Sequence, residues 1–175
     1  IRNAYKQLYR NGKTLEEAAG RRKRGMEDVE YACSAPENHK GEYTRSGGPN
    51  LDAWGDLQPL GVCAGITPFN FPAMVPLWMY PLAIACGNAF ILKPSERDPS
   101  STLYIAQLLL EAGLPKGILN VVHGDKEAVD ALIEAPEVKA LSFVGSTPIA
   151  EYIYAEGTKR GKRVQALGGA KNHAV

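Results

Sequence analysis

Short apolar runs alternate with helical segments along most of the chain, and this alternation constrains the fold more than any other feature. The apolar runs have the length of strands and cover residues 62–66, 89–93, 118–122, 138–144 and 163–167. Strands that alternate with helices over short connections form a parallel sheet. We therefore predict an α/β fold, with an open parallel sheet and helices on both of its faces.

Polar capping residues, prolines and glycines mark where the helices between these strands begin and end. The first helix covers residues 71–86, with a kink expected at Pro76 or Pro81. The others are a helix that Asp98 caps and Gly113 ends, one that Asp125 caps and Pro136 ends, and one that Thr147 caps and that runs to Gly157. In the helix after Asp98, the spacing predicts an apolar face that includes Leu103, Ala106 and Leu110.

The first 60 residues follow a different pattern. Thr14 and Glu17 form a capping box, which predicts a helix over residues 14–35. We interpret the cations at positions 21–23 as one solvated face of this helix. Glycines and prolines then predict turns, with a short antiparallel pair formed by residues 41–45 and 53–59.

Charge and cysteine content exclude several classes of protein. Residues 57–92 contain no charged side chain, but prolines interrupt them too often for a membrane-spanning helix of about 20 residues. The net charge of +1 gives no reason to expect nucleic acid or a membrane surface. No Cys/His cluster has the spacing of a metal site, and no His has a Ser or Cys partner at recognisable spacing. We expect Cys63 and Cys86 to be buried and inert.

Loops at the carboxyl ends of the strands are the places where an open parallel sheet binds ligands. Lys93 and Glu96 follow one strand and can hold ribose hydroxyls, although a surface ion pair gives the same pattern. Arg97 is either a third ligand or a solvated side chain. Ser146 lies between a strand and a helix, where it can meet a phosphate or be part of an ordinary capped turn. Without the G-x-G-x-x-G fingerprint, a standard Rossmann dinucleotide site is not supported.

Asn70 lies in the run PFNFP, where prolines on both sides fix the backbone. A rigid amide in this position can donate a hydrogen bond to an oxyanion. The same residue can equally well cap the helix that follows. The residues alone leave both interpretations open.

The motifs PFNFP, KPSE, FVGS and GAKNH together resemble the aldehyde dehydrogenase superfamily, and in order and spacing its methylmalonate-semialdehyde dehydrogenase branch. The resemblance implies an NAD-binding domain over residues 61–175, incomplete in this chain. Residues 1–60 would form the N-terminal helix and a possible oligomerisation hairpin. The resemblance also implies a homo-oligomer, a dimer or a tetramer, that acts on a small-molecule aldehyde in the cytoplasm or, alternatively, the mitochondrial matrix.

The same resemblance implies a role for each candidate cofactor ligand. Lys93 and Glu96 would hold the adenosine ribose of NAD, and Arg97 would lie beside them. Ser146 would meet the pyrophosphate at the start of its helix. The backbone of Phe69 would lie along the cofactor.

On the substrate side, Asn70 would donate a hydrogen bond to the oxyanion of a thiohemiacetal. Arg24, in the run RGMEDVEY, would bind the carboxylate of the substrate. The family's nucleophilic cysteine, in a G-x-C motif, has no counterpart among Cys33, Cys63 and Cys86. We therefore expect the nucleophile and the rest of the catalytic domain to follow Val175, so that the chain is an inactive fragment of an enzyme.

Ala166 determines which acceptor the resemblance favours. Hydrolytic members of the superfamily carry a glutamate two residues before a pair of glycines, and this chain has Ala166 there. Because alanine cannot activate water, we predict oxidation of methylmalonate or malonate semialdehyde by NAD, with coenzyme A as acceptor. The alternatives are a hydrolytic NAD(P)-dependent aldehyde dehydrogenase and a non-catalytic nucleotide-binding or interaction module.

Overall fold

The structure is a computed structural model that describes residues 12–169, so the end of the GAKNH run lies outside the described residues. The helices are α1 (Leu15–Cys33), α2 (Ala35–Asn38), α3 (Met74–Ala85), α4 (Ser100–Glu111), α5 (Lys126–Glu134) and α6 (Thr147–Lys159). The strands are β1 (Tyr43–Gly48), β2 (Leu51–Trp54), β3 (Val62–Ile66), β4 (Ala89–Lys93), β5 (Leu119–Val121), β6 (Val138–Val144) and β7 (Arg163–Leu167). None of the described helices is both long and apolar enough to cross a membrane.

Strands β3 to β7 form one parallel sheet in the spatial order β5-β4-β3-β6-β7. This order reverses direction at β3, which pairs with β4 on one side and with β6 on the other. The predicted strands are confirmed, and only the one predicted over 118–122 is shorter. Strands β1 and β2 pair antiparallel as a separate hairpin, as predicted, although their bounds differ from 41–45 and 53–59.

Helices cover both faces of the parallel sheet, which confirms the predicted fold class. On one face, α5 and α6 pack against the sheet through a cluster that includes Ile133, Leu141 and Ile153. On the other face, α3 contributes Leu77 and Tyr80 to a second cluster. Each cluster removes apolar side chains from water, which is the main favourable contribution to folding.

Helix α1 lies directly against α3. Its buried residues, Ala18, Gly25 and Ala32, recur every seven positions and are all small. A Cβ on Gly25 would lie 2.6 Å from Cδ1 of Leu77, so the two helices approach more closely than a side chain at this position allows. The predicted helix over 14–35 is confirmed, with the capping box of Thr14 and Glu17 at its start.

The predicted apolar face of α4 is wrong. Leu103 is 45% exposed and Leu110 53% exposed, whereas Ser101 and Thr102 are buried. This helix carries apolar residues on more than one side, and Ile105 is one of those that pack against the α3 cluster.

The predicted caps of two helices differ from those found, and a third is in the predicted position without the side-chain hydrogen bond. The N-cap of α4 is Pro99, and Asp98 accepts a hydrogen bond from the Ser100 hydroxyl instead. The N-cap of α6 is Ser146 rather than Thr147. Asp125 is the N-cap of α5 by position, but its side chain makes no capping hydrogen bond.

Candidate functional site

A cleft of about 690 Å³ opens where β3, β4 and β6 end. Helices α5 and α6 form its other wall. Because β3 is the strand at which the sheet order reverses, this is the place where open α/β sheets bind ligands. The cleft brings together the predicted cofactor ligands Phe69, Lys93, Glu96, Arg97 and Ser146.

Lys93 and Glu96 form an ion pair that lines the cleft. Nζ of Lys93 lies 3.5 Å from Oε2 of Glu96, and the lysine side chain is 6% exposed while that of the glutamate is 51% exposed. The pKa of Glu96 lies below its ordinary value because the carboxylate accepts a hydrogen bond from its own backbone N–H, and Lys93 and Arg97 add to this. Lys93 and Glu96 therefore do form the ion pair that the sequence allows, with the cation buried and an ionised carboxylate at the opening, and the ribose role stays a prediction.

Arg97 and Phe69 flank the mouth of the same cleft. The guanidinium carbon of Arg97 lies 5.2 Å from the centroid of the Phe69 ring, within the range of a cation–π contact. Its Nε is 4.0 Å from Oε1 of Glu96. Arg97 thus lies beside the Lys93–Glu96 pair, with most of its side chain in solvent.

Ser146 is the N-cap of α6, with extended backbone angles. Its side chain makes no capping hydrogen bond within the described residues, so the hydroxyl remains a possible donor to a ligand. The first N–H groups of α6 also lack partners within the helix, as at any helix start. Thr147 Oγ1 instead accepts a hydrogen bond from the Gly169 N–H at 3.0 Å. Thr147 is therefore not the cap of α6, and the choice between a phosphate site and an ordinary turn at Ser146 stays a prediction.

A network on the α5–α6 wall was not predicted. The Tyr152 hydroxyl donates to Oδ1 of Asp130 at 2.8 Å, and Lys126 Nζ donates to Oδ2 of the same carboxylate. The hydrogen bonds from Lys126 and Tyr152 lower the pKa of Asp130. The four-residue spacing of Lys126 and Asp130 on one helix is a sequence signal for their ion pair. Tyr152 comes from another helix, so no spacing in the sequence indicates its hydrogen bond to Asp130.

Asn70 lies beside the cleft on an exposed loop. Its backbone carbonyl accepts hydrogen bonds from Nζ of Lys13 and from Nη1 of Arg21, the latter at 3.2 Å. The following ring, Phe71, has the Arg21 guanidinium 4.4 Å from its centroid. Helix α3 begins only at Met74, after a different N-cap. Asn70 is therefore not a helix cap, and that interpretation is wrong.

The basic run on α1 is not simply a solvated face. Arg21 and Arg22 are half-buried, whereas Lys23 and Arg24 are exposed. Arg24 does not line the cleft. It lies three residues after Arg21, and positions three apart are neighbours on a helix surface. Arg24 is therefore close, along α1, to the residue that contacts the Asn70 loop.

Cys63 is buried, as expected, whereas the predicted burial of Cys86 is wrong. Cys63 is 8% exposed, and burial raises the pKa of its thiol. Cys86 is half-buried, and its Sγ lies 3.0 Å from Nε2 of His39. The two residues are 47 positions apart, so no local spacing indicates the contact. Among the described residues, no group of His, Cys, Asp and Glu could hold a metal ion.

The fold and the cleft define an α/β protein with a candidate nucleotide site at the switch point of its sheet. Residues 4–175 match the model of the aldehyde dehydrogenase family, and the chain belongs to this family.

Three relatives show the similarity in more detail. A malonate-semialdehyde dehydrogenase of Pseudomonas aeruginosa is 84% identical over 165 residues, which are 94% of this chain and 33% of that protein. A mitochondrial protein of Dictyostelium discoideum, named as an acylating methylmalonate-semialdehyde/malonate-semialdehyde dehydrogenase, is 56% identical over 94% of this chain and 31% of its own length. A structure from Sinorhizobium meliloti is assigned to the methylmalonate-semialdehyde dehydrogenases and was determined in complex with NAD. It matches this chain with a TM-score of 0.95 and 55% sequence identity, over 98% of this chain and 35% of the Sinorhizobium meliloti chain. The chain thus spans about a third of the length of the curated relatives it matches.

Proposed function

We propose that the full-length protein oxidises malonate semialdehyde or methylmalonate semialdehyde with NAD and transfers the acyl group to coenzyme A. The observation that carries this proposal is the cleft at the strand ends, where Lys93, Glu96 and Ser146 come together with Phe69, the residue before Asn70. The name of the Pseudomonas aeruginosa relative supports the choice of substrate.

The chemistry of the cleft fits NAD. Glu96 is ionised and half exposed, so its carboxylate can accept hydrogen bonds from ribose hydroxyls, with Lys93 as a fixed cation beneath it. The hydroxyl of Ser146 and the first amides of α6 would hold the pyrophosphate. Phe69 and Arg97 would border the bound cofactor. NAD would supply the hydride acceptor, and it is present in the Sinorhizobium meliloti structure.

Asn70 would act on the reacting carbonyl. Its side-chain amide would donate a hydrogen bond to the aldehyde oxygen as this oxygen gains negative charge. The two prolines around it and the cations on its carbonyl limit the movement of the loop. A donor that is already in place stabilises the developing charge without reorganisation during the reaction.

Ala166 supports coenzyme A as the acyl acceptor. It lies on β7, opposite Phe143 of β6, and its methyl group packs against the core cluster. No general base can come from this position, and a thiol needs less activation than water to attack a thioester. The Dictyostelium discoideum relative, whose name includes the word acylating, agrees with this choice.

We assign binding of the substrate carboxylate to Arg24. A guanidinium binds a carboxylate through two parallel hydrogen bonds, which suits a substrate with an acid group beside its aldehyde. Arg24 is exposed and adjacent on α1 to Arg21, which contacts the Asn70 loop. This position would set the preference for acidic semialdehydes over neutral aldehydes.

We further propose a domain division, a homo-oligomer and a compartment. Residues 61–175 would belong to the NAD-binding domain, and residues 1–60 would supply α1 and a hairpin for subunit contacts. On and just after the hairpin, Tyr43 is 61%, Leu51 58%, Trp54 78% and Leu57 57% exposed, which is costly unless a partner covers them.

The cytoplasm is the proposed compartment, with the mitochondrial matrix as the alternative that the Dictyostelium discoideum name illustrates.

Product analysis with and without coenzyme A tests the function. The full-length protein is incubated with malonate semialdehyde and NAD, and NADH and the acyl products are quantified. The proposal predicts sustained NADH formation and an acyl-CoA product only when coenzyme A is present. Formation of the free acid at the same rate without coenzyme A would instead indicate the hydrolytic alternative, and no NADH in either case would contradict the proposal as a whole.

A further inference from the structure

Two cations converge on a single peptide group beside the cleft. Lys13 Nζ and Arg21 Nη1 both donate to the Asn70 carbonyl. Both side chains also lie over the Phe71 ring, with Nζ of Lys13 at 5.0 Å and the guanidinium carbon of Arg21 at 4.4 Å from its centroid. Burial and the charge of Arg21 lower the pKa of Lys13. Two like charges remain close only where other groups compensate them, and here the carbonyl oxygen, the face of the ring and the carboxylates of Asp98 and Glu17 do so.

Helix α1 carries Arg21, and Lys13 directly precedes the N-cap of this helix, so the position of α1 fixes where both cations lie. The Thr14 hydroxyl accepts a hydrogen bond from the Glu17 N–H at 3.2 Å, and the Glu17 carboxylate accepts one from the Thr14 N–H at 3.2 Å. Further along the helix, Gly25 fits closely against Leu77 of α3. With its first turn capped and its middle in close contact, α1 cannot slide past α3 without losing this packing.

The loop on the other side of the contact is held on both sides of Asn70, since the Thr67 N–H donates to the Lys93 carbonyl at 3.1 Å and the Val75 N–H donates to the Phe71 carbonyl at 3.3 Å. Pro72 O accepts a hydrogen bond from Thr102 Oγ1 at 3.0 Å, and this bond is buried. Asn70 lies two residues earlier, is exposed, and has its carbonyl oxygen bound by Lys13, which precedes α1, and by Arg21 on α1. The orientation of the peptide that follows Asn70 therefore depends on Lys13 and Arg21.

We propose that Lys13 and Arg21 are positioning residues for the reaction, which hold the Asn70 peptide so that its side-chain amide meets the developing oxyanion. This inference rests on the oxyanion role proposed for Asn70. Neither cation has to touch the substrate, because each acts through the carbonyl of the residue that does. A displacement of about 1 Å in a reacting group can cost about 100-fold in rate, so partial release of the loop is expected to lower kcat about tenfold.

A double-mutant cycle in the full-length protein tests the inference. Arg21→Gln removes one cation, Asn70→Ala removes the donor but keeps the carbonyl, and Arg21→Lys restores a cation. Lys23→Gln, an exposed cation of the same helix, is the matched control. We expect Arg21→Gln to lower kcat about tenfold with an unchanged Kd for NAD, Arg21→Lys to recover most of the loss, and Lys23→Gln to have no effect. In the Asn70→Ala background, Arg21→Gln should cost nothing further.

The possible failures are distinct. If Arg21→Gln lowers kcat by the same factor with and without the Asn70 amide, Arg21 does not act through Asn70 and the positioning role is wrong. If Asn70→Ala alone leaves kcat unchanged, the oxyanion role itself is wrong. Thermal unfolding of each variant separates both results from a loss of fold, and Lys13→Met provides an independent second variant, for which the same non-additivity is expected.

Discussion

Replacement of Lys93 by Met tests the cofactor site through one buried charge. Methionine is unbranched and similar in length, so Lys93→Met keeps the packing of the buried stem and removes only the ammonium. The lysine is 5% exposed, and its Nζ is 3.5 Å from Glu96. In the proposed complex, the variant therefore loses one charged contact to the ribose and leaves Glu96 without its buried cation.

The magnitude follows from the charge of the contact. A hydrogen bond to a charged group contributes about 1.5–3 kcal/mol, which corresponds to an increase of about 10- to 100-fold in the Kd for NAD. Isothermal titration calorimetry on the full-length protein measures this change, with Lys116→Met, at an exposed site outside the cleft, as the control. The control should bind NAD as the unmodified protein does. A Kd for Lys93→Met within about twofold of the unmodified value would refute the assignment of this cleft to NAD.

Further predictions concern the substrate, the pH dependence, the core and the subunit contact. Arg24→Ala should reduce turnover of malonate semialdehyde and keep the affinity for NAD, and steady-state kinetics with propanal, which lacks the carboxylate, should show little loss. The pKa of Glu96 lies below its ordinary value, so its carboxylate stays charged above about pH 5. The Kd for NAD, measured against pH, should therefore be constant from there to neutral pH. A Kd that already rises as the pH falls from neutrality would contradict a role of ionised Glu96 in NAD binding. Ile153 is 0% exposed, so Ile153→Ala should cost about 2–5 kcal/mol and lower the midpoint of thermal unfolding, which calorimetry detects. Trp54→Asp should shift the protein to smaller species in analytical ultracentrifugation. An unchanged mass would show that the hairpin does not form the subunit contact.

The regular part of the fold could be predicted because local patterns determine it. Each strand of the parallel sheet is a short apolar run bounded by turn residues, and these runs require no long-range information. Helix α4 shows where this reasoning fails. Its sequence has apolar residues on more than one side, and only the packing of the helix against the rest of the fold determines that Leu103 is exposed while Thr102 is buried.

The same distinction holds for the candidate site. Lys93, Glu96 and Ser146 could be identified because each lies at or within three residues of the end of a strand, and parallel strands end at the same edge of the sheet. The contact of Arg21 with Asn70 joins residues 49 positions apart on two unrelated elements. No spacing in the sequence indicates such a contact. The sequence therefore predicts a solvated face for the cations at positions 21–23, including Arg21.

A structure of the full-length protein with NAD bound tests the central claim most directly. The account predicts the cofactor in the cleft at the ends of β3, β4 and β6, with Glu96 within hydrogen-bond distance of the ribose hydroxyls and the Ser146 hydroxyl at the pyrophosphate. NAD bound at another surface, or in this cleft without contact to either Glu96 or Ser146, would contradict it.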